Sequence, residues 1–594
     1  MSVDRPITKV LEHAGAEFEK RKIQPNYLDL IGRTDLKEVL TPCTPWVSVS
    51  MEVAYDKIPF TGGMGILAGD IFLQAEKSSI PMVVLTLAYS SRISQKLEDF
   101  NQVDVFKKIN PEDLGLELVG RTSIKVNNEL VLLDICQKNV NKGSIIALYE
   151  EGLKDLYYGS NYSEHRLYQE VVLGFGGHRA LKKLNLNPAG IHLNESSKVF
   201  SAIAILDEAV SSGMSLDQAL DFTRAKVILT NHTLVPAAVS SFPRELFENY
   251  VFGNLENPQV TDWIISLIDR EGGRLSLATL ALETVGKVNG VSKAHAKTAS
   301  KNFKRIDGAS VDFTPVTNGI FLERWTDPRL YLLYKQVDII DEYDLPDPDF
   351  GEKIEQLDSW QLRAIKREAR NDLIQYLKRR VDQYGRPVQI PQDPKIAVWA
   401  RRFADYKRPG MIFEDQRALA DILEDGNIHL IIAGKAHPTD EPMKDKMRDI
   451  LTLIDDNPVL RARVHFVQDY NEELARHLVA GADIWLNTPQ VGQEACGTSP
   501  WKAIANLTRV ISTRDGGMAD IDPPAYLEIK GSSYQKEVES LYLGLEEAVL
   551  ELSDQAKWAK KVKGQLRAYL STISGARMLK DYLEFGFPKS IDSS

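Results

Sequence analysis

Cysteine is scarce. Only Cys43, Cys136 and Cys496 occur, an odd and widely spaced set, so neither a disulfide framework nor a metal knuckle is expected, and a reducing cytoplasm is the natural compartment. Long hydrophobic runs are missing too. The longest, Ile80 to Tyr89, is about ten residues and carries Pro81, half of the roughly 20 a membrane-spanning helix needs. The opening Met-Ser-Val-Asp-Arg-Pro lacks the apolar centre of a leader. Positive charge is not in excess: 72 Lys and Arg stand against 83 Asp and Glu, a net charge of −11. That balance argues against a general nucleic-acid binder and leaves room for a local basic pocket. HExxH, CxxC, G-x-S-x-G and P-loop patterns are absent, which removes support for metal, serine-hydrolase and P-loop chemistry. What is present is ordinary globular material: 594 residues, 43% apolar and 26% charged, enough for large cores without staples.

The C-terminal half alternates between two patterns. Short apolar runs at 396–400, 428–432, 464–467, 483–486 and 509–512 have the length of buried strands. Stretches of helical spacing lie between them, at 411–423, 442–454 and 472–480. The alternation predicts a doubly wound parallel sheet, whose ligands sit at the strands' carboxyl ends. Arg401, Arg402, Lys435, His437, Asp469, Tyr470 and Asn487 stand there. The N-terminal half also alternates, with strands expected at 46–53, 81–88 and 227–230 and helices at 167–184 and 197–212. A loop over 339–349 precedes a long charged helix over 353–380. Two α/β halves joined near 319–394 make the cleft between them the default ligand site.

Four segments carry chemistry. Gly63, Gly65 and Ala68 satisfy G-x-G-x-x-A, but Pro59 spoils the strand a dinucleotide fingerprint requires. A glycine-rich turn, or a helix start whose bare amides approach a ligand, are the other readings. Arg401-Arg-Phe-Ala-Asp-Tyr-Lys-Arg408 follows a strand and is expected to open a helix. Basic runs are commonly solvated, yet its place at a strand end favours an anion cradle, assisted by the helix dipole. Glu494-Ala-Cys-Gly-Thr-Ser-Pro-Trp-Lys502 is a small-residue loop entering a helix near Pro500. Lys502 there is either a surface lysine, the commoner case, or an amine that takes up an aldehyde cofactor. His232 and Glu195 each follow a strand, where a lone histidine is more often structural than catalytic.

Together these segments resemble the α-glucan phosphorylases of the short bacterial and archaeal type. The resemblance runs from about Val47 to about Asp520. It rests on Ser50-Met-Glu-Val53 with Gly62-Gly-Met-Gly65, Gln169-Glu-Val-Val-Leu-Gly174, Leu193-Asn-Glu195, Thr230-Asn-His-Thr233, Val316-Thr-Asn-Gly319, the 401–408 run, Ala433-Gly-Lys-Ala-His437 and Glu494-Ala-Cys-Gly-Thr498. It implies an α/β GT-B architecture, two Rossmann-like doubly wound domains facing a central cleft. The implied divisions are 1–318, 319–565 and a helical tail at 566–594 packing back on the N-terminal domain. It implies phosphorolysis of an α-glucan or short α-glucoside by inorganic phosphate, giving α-glucose 1-phosphate with retained configuration. Pyridoxal 5'-phosphate would be bound at Lys502, with Arg401, Gly63 and Thr498 contributing. Arg402 and Lys407 are then phosphate ligands and, with Lys502 and His232, the catalytic set. Glu494, Cys496, Gly497, Asn318, Met64 and Glu195 are then substrate contacts. A homodimer is expected, with no metal, membrane or nucleic-acid partner. The chain departs from the family at Ser197, where a histidine is usual and Lys198 follows. It also departs at Cys496 in place of serine and at Ser499-Pro-Trp501 before the lysine. A nucleotide-sugar glycosyltransferase of the glycogen-synthase kind, or a glucan-binding pseudo-enzyme, are the alternatives.

Overall fold

Parallel strands buried on both faces read as continuous apolar runs, and Met82-Val-Val-Leu-Thr-Leu-Ala88 is one, buried at every position. In the computed structural model it is the second strand of a nine-stranded sheet. The structure describes residues 25–156, 163–391 and 393–589. The opening segment examined for a leader, and the last residues of the tail, lie outside them.

The strands are β1 (Trp46–Val49), β2 (Met82–Ala88), β3 (Ser91–Glu98), β4 (Asn101–Lys108), β5 (Glu117–Val126), β6 (Glu129–Val140), β7 (Gly143–Tyr149), β8 (Gly190–Asn194) and β9 (Val227–Asn231). They continue with the short pair β10 (Ser241–Pro243) and β11 (Arg274–Ser276), then β12 (Lys287–Gly290) and β13 (Phe313–Pro315). The N-terminal sheet runs β13-β12-β9-β8-β1-β2-β7-β6-β5, parallel from β13 to β7 and closed by antiparallel β6 and β5. The C-terminal sheet contains β14 (Lys395–Ala400), β15 (Ile428–Ala433), β16 (Val464–Val467), β17 (Ile484–Asn487), β18 (Arg509–Thr513) and β19 (Leu527–Ile529). Its order is β16-β15-β14-β17-β18-β19, all parallel. That order reverses between β14 and β17, the switch point at which doubly wound sheets open a crevice. Two Rossmann-like units therefore face one another, the GT-B arrangement.

Several elements differ from their expected limits. The first strand ends at Val49, four residues early, and the chain after it turns Glu52 toward the glycine-rich segment. The helix expected over 353–380 is two, Phe350–Gln356 and Ser359–Leu377, because Asp358 caps the second through the Gln361 amide. The basic run does not open a helix. It forms a short 3-10 turn at Asp405–Lys407, and the next α-helix begins only at Gln416. The helix dipole expected from the run itself is therefore not there.

Contacts on two sides hold the units together. The β3–β4 ribbon leaves the N-terminal sheet and lies on the C-terminal unit. There Gln95 Nε2 donates to the Gly434 carbonyl at 3.1 Å, and Gln102 accepts from the Ala436 amide at 2.9 Å. On the other side, Ser292 Oγ donates to the Ala495 carbonyl at 2.8 Å and Thr317 Oγ1 to Asp520 at 2.6 Å. The chain then returns: the helix Gly575–Gly586 packs Met578, Leu579, Tyr582 and Leu583 into a core shared with Ile71, Phe72 and Val84. Gly69, on the helix Gly63–Lys77, is required by close approach, since a Cβ there would lie 2.2 Å from the Ala54 carbonyl oxygen.

Lys366 ties the long helix to the base of the site. Its buried ammonium donates to the carbonyls of Ala480 and Asn506, both at 2.9 Å, and to Thr508 Oγ1 at 2.7 Å. Asn506 in turn donates to the carbonyls of Trp325 and Lys502 at 2.7 and 2.8 Å. Lys366→Met strands three buried acceptors and is expected to destabilise the C-terminal unit by about 3 kcal/mol. A shift in its urea transition, followed by tryptophan fluorescence, checks this.

Candidate active site

At the switch point, β14 delivers Arg401 and the loop after β17 delivers Glu494. Arg401 is buried, and its Nη2 donates to Glu494 Oε2 at 2.5 Å. Lys407 Nζ reaches the same oxygen at 3.1 Å. Asp515 fixes the Glu494 loop by accepting from the Gln493 and Glu494 amides at 3.0 and 2.8 Å. Burial and the adjoining Arg401 push the Lys407 amine down to about 7, against the pull of Glu494. Burial raises the Glu494 carboxyl, but Lys407 and Arg401 outweigh it and leave it below the usual carboxylate range. Two cations thus share one carboxylate. Arg401 Nε and Nη1 are buried with no partner among the described residues, although buried guanidinium nitrogens are ordinarily satisfied.

The other two cations of the run lie elsewhere. Arg408 is committed to Glu537 and to the carbonyls of Thr488 and Pro489, so it is no part of the cradle. Arg402 is exposed, hydrogen-bonds Tyr406 and faces His437. Glu494, expected as a sugar contact, pairs with both Arg401 and Lys407. Against that pair lies Gly497, where a Cβ would stand 3.5 Å from Arg401 Nη2. Thr498 precedes the helix Ser499–Ala505 without capping it.

The glycine-rich segment differs from its sequence reading. The helix Gly63–Lys77 does not present a fully bare N-terminus, because the buried Glu52 carboxylate accepts from the amides of Thr61, Gly62 and Gly65 at 2.6, 3.0 and 3.1 Å. An internal anion satisfies the helix start. Gly63 itself faces open space, with nothing within 4 Å of a Cβ, and Met64 beside it is half-buried.

The N-terminal strand ends supply the opposite wall. Glu195, after β8, sits at φ 82°, ψ 150°, a conformation almost restricted to glycine that costs about 1–3 kcal/mol. Its carboxylate holds the wall in return, accepting from the amides of Ser196 and His232, both at 2.9 Å, and from Thr233 Oγ1 at 3.0 Å. Burial pushes the His232 imidazole down to about 4, so it is neutral near pH 7, and its buried Nε2 lacks a partner. Asn318 donates to the Cys496 carbonyl at 3.4 Å and leaves its own buried Oδ1 free. Burial pushes the Cys496 thiol up to about 12, so it stays neutral.

Lys502 is buried, 7% exposed, and forms no ion pair among the described residues. Burial pushes its amine down to about 7. Its Nζ lies 3.4 Å from the centroid of the Trp325 ring, beside buried Asp70 and Arg324 and the half-buried Glu472. Sequence reading missed these four and Glu52. Trp325 stands only seven residues beyond Asn318, but no local pattern marks it. The residues present fit a phosphorylated aldehyde in their chemistry: an amine, Lys502, that turns neutral near pH 7 and forms no ion pair among the described residues, and a guanidinium, Arg401, with two idle nitrogens.

The chain is similar to known proteins. Residues 169–525 match the family described as carbohydrate phosphorylase. Maltodextrin phosphorylase of Thermococcus litoralis is 27% identical over 92% of this chain and 71% of its own. Glycogen phosphorylase of Aquifex aeolicus is 28% identical over 89% of this chain and 84% of its own. That of Mycobacterium tuberculosis is 27% identical over 90% and 69%.

Because Glu494 occupies both cations, Glu494→Gln is expected to bind inorganic phosphate about tenfold more tightly at about pH 5, low enough to keep Lys407 charged after the loss of Glu494 moves its titration down. In the unaltered protein, phosphate affinity falls as pH rises through about 7 and Lys407 loses its proton. Calorimetric titration of phosphate across that range measures both.

Proposed function

We propose, for a chain that belongs to the carbohydrate phosphorylase family, that inorganic phosphate cleaves an α-glucosidic bond of an α-glucan or short α-glucoside. The product on this reading is α-glucose 1-phosphate of retained configuration, and the cofactor is pyridoxal 5'-phosphate. The chain is a glycosyl phosphorylase by family, and the finer statements rest on the site. The observation that carries them is Lys502: a buried amine, brought down to about 7, with no ion pair. A nucleotide-sugar transferase of the same architecture has no use for such a group.

When bound, the cofactor supplies a phosphate able to pass a proton to the reacting phosphate. The chain's own residues do the rest. Arg401 and Lys407 hold anions that would otherwise repel one another in a low-dielectric crevice. Their preorganised charge favours negative charge developing on phosphate. Glu494, released from them when an anion arrives, becomes free to accept from sugar hydroxyls. His232, held neutral, offers Nε2 as a hydrogen-bond partner, with Asn318 Oδ1 beside the Cys496 loop as another. Arg402, exposed at the rim, and the open face of Gly63 with Met64 are assigned to the incoming phosphate. Cys496 and Gly497 are assigned to the sugar, and Glu195 to the leaving side through the wall it holds. On the same reading the units divide at residues 318 and 565. The three free cysteines support a reducing, cytoplasmic setting.

Purified protein is expected to show a cofactor absorbance band at the ultraviolet edge of the visible, and to release glucose 1-phosphate from maltodextrin and phosphate. In Lys502→Ala both should fall to background. Coloured protein that releases no glucose 1-phosphate from any α-glucan would overturn the substrate, while colourless active protein would overturn the cofactor.

A further inference from the structure

The indole under the Lys502 amine is held at its far edge. Trp325 Nε1 donates to both oxygens of Asp70, at 2.8 and 3.0 Å. Arg324 Nη1 donates to the same carboxylate at 3.0 Å and turns its remaining nitrogens to Glu472, at 2.8 and 2.5 Å. Asp70, Arg324, Trp325 and Lys502 are all buried. The set crosses the molecule. Asp70 lies two turns into the helix Gly63–Lys77 of the N-terminal unit, Arg324 and Trp325 on the short helix Leu322–Trp325, and Glu472 and Lys502 on helices of the C-terminal unit.

We infer that Asp70 is a positioning residue for Lys502: it anchors the Trp325 N–H, fixes the aromatic face against which the amine rests, and so holds that amine ready to take up an aldehyde. The inference rests on the reading that Lys502 carries the cofactor. In that step the lone pair of the neutral nitrogen attacks the aldehyde carbon. A carbon–nitrogen double bond forms, and the carbonyl oxygen leaves as water with the two amine protons. The nitrogen must therefore be unprotonated and aimed. A ring able to swing would let it sink against other surfaces, and an indole whose N–H is given to a carboxylate cannot swing.

The charges facing the amine are Asp70 and Glu472, which raise its titration, and Arg324, which lowers it, all against the larger effect of burial. Asp70 itself is raised by burial and opposed by Arg324 and Lys502. Removing its charge lets the amine lose its proton at lower pH, and removing its oxygens frees the ring. These are separable consequences, and a purely structural role for Asp70 would produce only loss of folded protein.

The full-length, cofactor-free protein is incubated with pyridoxal 5'-phosphate between about pH 5 and about pH 9, which brackets the titration of a depressed lysine. Borohydride then fixes the adduct, and peptide mass counts the label at Lys502. Unaltered protein should label with a midpoint near 7. Asp70→Asn keeps an acceptor for the indole, so it should reach the same final label with its midpoint about one pH unit lower. Asp70→Ala should label about tenfold more slowly at the alkaline end, Trp325→Phe should share that loss, and Asp70→Glu should restore both rate and midpoint. Wild-type midpoint and rate in folded Asp70→Asn and Asp70→Ala would overturn the inference. Absence of label at Lys502 in the unaltered protein would instead overturn the cofactor reading. Should Asp70→Ala not fold, the midpoint of Asp70→Asn alone decides.

Discussion

A buried guanidinium and a half-buried amine share a single carboxylate at the switch point of the C-terminal sheet, and the candidate site follows from that imbalance. Arg401 and Lys407 both lean on Glu494, and two guanidinium nitrogens of Arg401 have no partner. Taking a charge out of water costs several kcal/mol unless something compensates it. A chain of net charge −11 has carboxylates to spare, yet at this position it withholds a second one. On the proposed reading that compensation comes from anionic ligands.

The opposite wall shows the same pattern of local cost held by surrounding contacts. Glu195 keeps a backbone conformation suited to glycine because its carboxylate is tied to Ser196, His232 and Thr233. His232 and Asn318 each keep a buried polar atom without a partner. Buried polar groups are usually satisfied, and Arg401, His232 and Asn318 are among the exceptions in the described residues. By contrast the helix start at Gly63, which a sequence reading takes for a bare anion site, is already occupied in part by Glu52.

Neither unit makes the site alone. The β3–β4 ribbon reaches from the N-terminal sheet to the loops after β15 and β16, and Ser292 and Thr317 fasten the other side near the 494–497 loop. Asp70 does the same deeper in the molecule, from a helix of one unit to a lysine of the other through Trp325. Lys198, beside Ser197, faces Glu170, Glu195 and Arg166, and burial pushes its amine down to about 8.

Periodicity and strand-end position determined a good deal by themselves. The apolar runs of the C-terminal half became β14 to β18 within a residue or two, and the residues just beyond them include Arg401 and the loop carrying Glu494. The local pattern placed Lys502 on a helix after a small-residue loop but read it more readily as a surface lysine; its burial is a tertiary outcome. Local sequence suffices there because strand burial and helix starts are local matters. Tertiary structure alone decided which cations of the 401–408 run face the crevice, and it sent Arg408 to Glu537. It alone joined Glu52 to Gly62, 10 residues away, and Asp70 to Trp325, 255 residues away. Such partners are chosen by burial, where a charge must find an opposite wherever the fold brings one, and no spacing along the chain records that choice.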